Sequence, residues 1–266
     1  MRWTTILLTG LLVAGCTGTD KDDDEGPTRE APLEDLELPW TLTDCQAVVV
    51  LFDVPAEAVR PHLPPGFEPV SVLAGLTGND DPASDGSFGL EMFTCASGSG
   101  LNGTVEPIAY GSQFAFVDPP ENVTVAADYQ FYKWEVLVPD ADRREALAAR
   151  GAPAMDGSAD FALFMMQEGA GTFDGTLVLG NGTYAFEGRT LVPNPDPITF
   201  TEYMAVPGGI ATWHTSVAVD AAGIGTGTVD VPEGTLAAEV LGPGAHDGSA
   251  LVGRWSFTDG RVHVPA

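Results

Sequence analysis

Few residues of this chain could do chemistry, and their scarcity narrows what that chemistry could be. Among 266 residues there are two lysines, Lys21 in the acidic run Asp20-Lys21-Asp22-Asp23-Asp24-Glu25 and Lys133 in the apolar stretch DYQFYKWEVLV. An amine aimed into an apolar interior gives up its proton more readily and can attack a carbonyl carbon, whereas a solvated amine stays an ammonium ion. The ordinary expectation for Lys133 is solvent, beside Glu135 one same-side step along a regular strand. Glu91 and Glu135 fall inside strand-like runs. Buried, their carboxyl pKa values would rise and suit acid or base work; facing water, the default, they are surface charges. His62, His214, His246 and His263 form no local pair at metal-ligand spacing, so no metal is expected. His214 follows Trp213 in a strand-like run and could point inward, although a hydrogen-bonded structural histidine is the plainer reading. Asn79-Asp80-Asp81 reads as a solvated turn before it reads as a calcium loop. No Gly-x-Ser-x-Gly elbow and no phosphate-cradling glycine loop occur, and no cofactor is expected.

The composition sets the partners and the compartment. There are 38 acidic against 11 basic residues, a formal net charge of −27. Such a polyanion is repelled by phosphate backbones, which excludes nucleic-acid binding, and its acidity reads as a solvated surface. Residues 1–15 carry Arg2 and then an apolar run from Ile6 to Val13, too short to span a bilayer. Val13-Ala14-Gly15-Cys16 resembles the lipobox of bacterial lipoproteins. That resemblance implies cleavage before Cys16, acylation of its thiol and a bilayer partner at the cell envelope. Thr17 in place of aspartate points to the outer membrane, on its periplasmic or surface face. Residues 16–38 are acidic and almost free of large apolar side chains, as in a disordered tether. An exported compartment is oxidising, and with Cys16 lipidated the even remainder, Cys45 and Cys95, favours a disulfide over two buried thiols.

Residues 39–266 read as one β-rich domain. Gly 32 and Pro 21 favour short strands and many turns. Val48–Phe52 (VVVLF) suits a buried strand; Pro55 can open a single helical turn over Ala56–Val59, which Pro61 and Pro64-Pro65-Gly66 stop. Phe67–Leu73 resumes extended. Further strands are expected at Ser87–Cys95, Glu106–Val117, Asp128–Val138, Phe161–Gln167, Thr172–Leu179, Thr183–Leu191, Ile198–Ala205, Ile210–Val219, Gly227–Val231, Leu236–Val240 and Leu251–Phe257. Gly180-Asn181-Gly182 predicts a tight hairpin, because Asn and Gly accept positive φ. Asp140–Arg150 predicts the clearest helix, acidic at its start and stopped by Gly151. The fold class is therefore mainly β, a closed or nearly closed barrel-like single domain with two or three short helices.

The segment Val54–Val70, VPAEAVRPHLPPGFEPV, resembles the N-terminal signature of acetoacetate decarboxylase-like proteins, and the order of the later segments agrees. A strand at Gly89–Thr94 precedes Ile108-Ala109-Tyr110-Gly111-Ser112, then a crossing strand, the helix and Arg150-Gly151-Ala152-Pro153. The resemblance covers roughly residues 44–192. It implies a β-barrel-like domain around a mostly apolar cavity, and in active members a Schiff-base lysine whose pKa is lowered by desolvation or a neighbouring cation; acetoacetate decarboxylase is the standard example of the latter. The family's lysine pair follows a Gly-x-Pro. Here Gly151-Ala152-Pro153 is followed by Ala154 and Met155, and Ser112-Gln113 stand where the family carries a glutamate. What the resemblance implies is thus an exported, lipid-anchored domain that binds a small hydrophobic or carbonyl-bearing molecule and is not an active decarboxylase. Tyr110, Ser112, Gln113, Lys133 and His214 are the cavity candidates. An enzyme working on a keto or enol substrate through Lys133 or Glu91, and a structural envelope protein without a ligand, are the alternatives.

Overall fold

The computed structural model describes residues 34–73, 85–165, 171–193 and 198–266. The signal segment, Cys16, nearly all of the acidic tether and the Asn79–Asp81 turn lie outside the described residues. β1 (Leu36–Val54) leads into α1 (Ala56–Val59), a 3-10 turn at Arg60–His62 and β2 (Glu68–Pro69). β3 (Gly86–Ser99), β4 (Thr104–Val105), β5 (Ile108–Asp118) and β6 (Tyr129–Leu137) follow, then α2 (Ala141–Ala148) and β7 (Ala154–Met155). β8 (Gly157–Met165), β9 (Gly171–Leu179), β10 (Gly182–Pro193), β11 (Ile198–Val206) and β12 (Gly209–Val231) precede α3 (Leu236–Leu241) and β13 (Gly244–Val264).

The strands pair in the order β11-β6-β5-β3-β1-β13-β12, and β12 pairs back onto β11, so seven strands close a ring. β12 is long enough to act twice. Its first part, Gly209–Val217, pairs with β11, while Gly223–Asp230 pairs with β10, from which β9 and β8 continue the sheet. That extension folds back against β3, β5 and β6. β3, β5, β6 and the middle of β1 are therefore covered on both faces. Val49 and Leu51 of β1 join an inner cluster with Phe93, Phe114, Phe131 and Trp255. Val48, Val50 and Phe52 join an outer one with Leu90, Phe173 and Tyr184. This explains why VVVLF shows no alternation: a strand buried on both faces is apolar at every position. The β-rich, single-domain class expected from the sequence is the class observed.

Local chemistry accounts for most elements. Gly180 adopts φ 57° in the two-residue link between β9 and β10, the predicted hairpin. α2 ends as its glycine requires: Gly151 takes φ 73°, and the N–H groups of Gly151 and Ala152 bond back to Ala148 and Leu147. Leu236–Val240, expected as a strand, is instead α3. Thr235 caps it by accepting from the Ala238 N–H at 3.2 Å, and two alanines favour the helix over a pleated strand. Phe67–Leu73, expected as a strand, forms a ladder at Glu68–Pro69, continues through the Val70 backbone bonds to Phe116 and Ser87, and turns helical at Leu73. Ile210–Val219 and Gly227–Val231 are one strand, because the glycine-rich stretch between them stays paired to β13 across a bulge. β1 already pairs at Leu36, inside the stretch read as tether.

Cys45 and Cys95 stand opposite each other on β1 and β3 and are joined by a disulfide. The closed loop spans a separation of 50 residues, for which chain entropy gives ~4 kcal/mol and practice ~2–4 kcal/mol. Denaturant melts with and without reductant are expected to differ by that amount, and the Cys45→Ser variant to match the reduced protein; equal midpoints would show that the bridge contributes nothing.

Candidate functional site

The site grows from β3, β5, β6 and β11, four neighbours in the ring. On β3 and β5, Glu91 pairs with Ser112 and Phe93 with Tyr110, so Glu91, Ser112 and Tyr110 share the inner face. β6 is irregular. Gln113 pairs with Glu135 but Phe114 pairs with Lys133, which leaves Trp134 as an extra residue, a β-bulge. Phe131 and Lys133 thus point inward while Glu135 turns outward. β11 runs parallel to β6, places Glu202 beside Phe131 and opposite Trp213 of β12, and so sends its carboxylate inward as well.

Lys133 is fully buried, 1% exposed. Its Nζ donates to Glu91 Oε1 at 2.5 Å and to Tyr110 Oη at 2.7 Å, and lies 2.8 Å from Glu202 Oε1. Ser112 Oγ donates to Glu91 Oε1 at 2.6 Å, and Tyr110 Oη to Glu202 Oε2 at 3.4 Å. An ammonium ion has three hydrogens, and here each has a partner. Burial pulls the Lys133 amine down, but Glu202 and Glu91 together outweigh it and leave its pKa raised. Burial pushes the Glu202 carboxyl up to about 7 in spite of Lys133. Burial, then Glu202 and Glu91, hold the Tyr110 hydroxyl well above its usual value. The resting site is therefore an ammonium ion between two carboxyl groups, one of them poised to exchange a proton near neutral pH.

Beyond the carboxylates lies a cavity of ≈ 50 Å³. Glu91 and Glu202 line it, and Lys133, bonded to both, does not. The remaining walls are mostly apolar: Val49, Leu51 and Leu251, and rings that include Phe93, Phe114, Phe131, Phe200 and Phe257, with Tyr129 and Trp255 adding a hydroxyl and an indole N–H. Phe131 is the hub, 4.9 Å from Phe114, 4.7 Å from Phe116 and 5.0 Å from Phe200 between ring centres. Gly89 makes room for this wall, because a Cβ there would sit 2.4 Å from the Phe114 ring.

The sequence-predicted residues divide. Tyr110, Ser112, Lys133 and Glu91 come together. The expectation that Lys133 and Glu91 face solvent is corrected: the ring is lined on its inner face by apolar side chains, and the two ions travel inside as a pair. Gln113 does not join them. It lies on the outer face, donating to Glu135 Oε2 at 2.5 Å, because neighbouring strand residues point to opposite sides. His214 is also outside, with Nδ1 2.8 Å from Thr201 Oγ1, while Trp213 takes the inner position against Trp40. Ala154 and Met155 pair with Val136 and Leu137 and do not line the cavity. Glu202 was missed, although a single acid in the apolar run ITFTEYMAV carries the same signal that singled out Glu91. Arg143 was missed too; it is buried, stacks 5.1 Å over Trp40 and donates to the Ser99 carbonyl. Among the described residues no group of three His, Cys, Asp or Glu side chains is placed to hold a metal ion.

No family profile matches the chain, and no curated protein sequence matches it. Solved structures do. An acetoacetate decarboxylase-like enzyme from Sphingomonas wittichii RW1 superposes with a TM-score of 0.57 at 10% identity, over 88% of this chain and 93% of that one. The acetoacetate decarboxylase of Legionella pneumophila gives 0.53 at 10% identity, over 91% of both chains. The enduracididine biosynthesis enzyme MppR, solved in complex with pyruvate, gives 0.54 at 14% identity, over 85% of this chain and 90% of that one. The fold is that of the acetoacetate decarboxylase-like proteins. At such identities the likeness extends to the path of the backbone and leaves the chemistry to be argued from this chain's side chains.

The raised Glu202 carboxyl has a consequence for stability. A carboxyl whose folded pKa stands near 7 instead of 4.5 favours folding while protonated. Its contribution is complete below about pH 4.5 and is lost as pH rises through about 7, on the order of 3 kcal/mol if Glu202 acts alone. Glu135, also raised by burial, adds a share of the same sign. Denaturant midpoints should therefore fall between about pH 4.5 and 8, and the fall should be smaller in Glu202→Gln; an unchanged profile in that variant would remove Glu202 as the cause.

Proposed function

We propose that this domain is a small-molecule binder that keeps the enclosed cavity of its fold without running a lysine-imine decarboxylation. The observation that carries the reading is the engagement of all three Lys133 hydrogens by Glu91, Glu202 and Tyr110 behind the cavity wall. An imine needs an unprotonated amine with a clear line to a carbonyl carbon. Lys133 has neither: its proton is held by two carboxylates, and those carboxylates occupy the approach. The ligand is a small molecule with an apolar body, since the cavity offers rings and aliphatic side chains around two acids.

A second reading is favoured by Glu202, a carboxyl poised near pH 7 and facing the cavity, which suits proton transfer next to a carbonyl group. The structural neighbours are enzymes, which is consistent with it. Incubation with pyruvate and borohydride at neutral pH is expected to leave Lys133 unmodified by peptide mass. In the Glu91→Ala/Glu202→Ala protein the amine is buried without counter-charges and its approach is open, so it should lose its proton and is expected to be trapped. An adduct on the unaltered protein would overturn the binder reading; turnover of a keto substrate with Lys133 unmodified would favour the second.

The export signal supports a location. Residues 1–16 have the charge, apolar length and small residues before a cysteine that lipoprotein processing uses, and the Cys45–Cys95 bridge suits an oxidising compartment. We place the domain at the outer membrane of a bacterial cell envelope, held by acylated Cys16 and the acidic tether. Expressed in a bacterium and fed labelled palmitate, the protein is expected to take label and pellet with membranes, and Cys16→Ser to do neither; a labelled Cys16→Ser protein would exclude that anchor.

A further inference from the structure

The charge count of the cavity identifies the kind of molecule that fits it. Glu91 and Glu202 are the charged groups of its wall, beside the neutral Tyr129 hydroxyl and the unpartnered Trp255 indole N–H, and the nearest cation, Lys133, has no hydrogen left to donate. Two carboxyl groups against one ammonium leave the ionised site one negative charge in excess. The excess has a place. Glu91, 7% exposed, gives Oε1 to Lys133 and Ser112, while its Oε2 takes no hydrogen bond from any described residue. The cavity that Glu91 lines is walled largely by aromatic rings, and the faces of such rings are negative and attract cations. A carboxylate ligand would meet two like charges and ring faces of the same sign, with only neutral donors, the Trp255 indole N–H and the Tyr129 hydroxyl, and no free cation to hold it. A bare metal ion would lose its water shell for too few oxygen ligands.

We propose that the molecule this cavity takes is a small organic cation, an ammonium group bearing short apolar substituents. This rests on the cavity being a ligand site, as proposed above, and assigns its class. The cationic head neutralises the excess charge at Glu91 and Glu202, and its alkyl groups and spread charge lie against Phe114, Phe131, Phe200 and Trp255. A quaternary or hindered amine also cannot condense with a carbonyl, so the assignment needs no covalent step.

Three probes of one shape and different charge test it: tetramethylammonium, tert-butanol and pivalate, by calorimetry on the intact protein in about 1 M NaCl, where attraction to the acidic surface is screened beyond about 3 Å. Tetramethylammonium is expected to bind at least tenfold more tightly than tert-butanol, with pivalate weakest. In Leu251→Phe, which fills the cavity from β13, the binding of tetramethylammonium is expected to fall at least tenfold while the thermal midpoint is retained. Tighter binding of tert-butanol or pivalate would overturn the cationic class and leave the cavity reading standing. Cation binding unaffected in Leu251→Phe would put the cation on the acidic surface and overturn the assignment. If none of the three binds, both the assignment and the cavity reading fail.

Discussion

The extra residue in β6 is the constraint on which the site depends. In a regular strand Lys133 and Glu135 would share a face, and the lysine could not enter the ring without bringing a third acid with it. The bulge at Trp134 separates them, so that Phe131 and Lys133 point in, Glu135 points out, and Val136 is back inside. A bulge leaves an unpaired residue that must find other partners. Trp134 finds them in the proline-rich cap after β1: its indole N–H donates to the His62 carbonyl at 2.6 Å, and its ring packs near Phe88 and Tyr132. The prolines that stop α1 after a single turn therefore have a second effect. They present a backbone carbonyl, freed from helical bonding, to the one residue that the neighbouring strand cannot pair.

Putting an ammonium ion and two carboxyl groups in a dry ring is costly. Each ion loses several kcal/mol of hydration, and an attraction between partners regains this only when the remaining hydrogen-bonding positions are filled. Here they are nearly filled, with Tyr110 and Ser112 as supporting donors. The raised carboxyl of Glu202 is what the balance leaves over, for one ammonium cannot fully compensate two anions in a low-dielectric space. A core built only for stability would use well-packed apolar residues of similar size, which in other proteins equal or exceed buried ion clusters. The retained cluster is a cost to folding, and it lies against a cavity walled largely by aromatic rings. That coincidence, more than the presence of any single residue, argues for a ligand.

Much of the fold was legible because it follows from local chemistry. Apolar runs without alternation marked strands covered on both faces, Gly180-Asn181 marked a hairpin, and Gly151 marked the end of a helix. What could not be read depended on pairing. Residues 236–240 carry enough leucine and valine to pass for a strand until Thr235 is seen to cap them. The long arms of β1, β12 and β13 extend well past their apolar cores because partners, not propensity, hold them. The site suffered most. Side-chain direction was reasoned from a period of two, and one inserted residue in β6 reverses the relation of Lys133 to Glu135. Gln113 and His214 point outward because successive strand residues face opposite sides: Ser112 and Trp213 are the inward members of those pairs.

The position matched to the family's lysine pair bears on function in the same way. Ala154 and Met155 lie at the far end of β6, against Val136 and Leu137, and contribute nothing to the cavity wall. The one buried amine of the described ring belongs to a different strand, and it is met by acids where an imine former would need to be free of them. The surface acts in the same sense. A formal charge of −27 depletes anions near the protein and enriches cations, an effect on encounter that salt weakens. Inside, where salt does not reach, Glu91 and Glu202 repeat the same preference at contact distance. An anionic substrate would thus be disfavoured twice, once on approach and again at the wall, whereas a cation would be favoured twice. Two independent features of the chain, its composition and its buried geometry, select the same sign of charge.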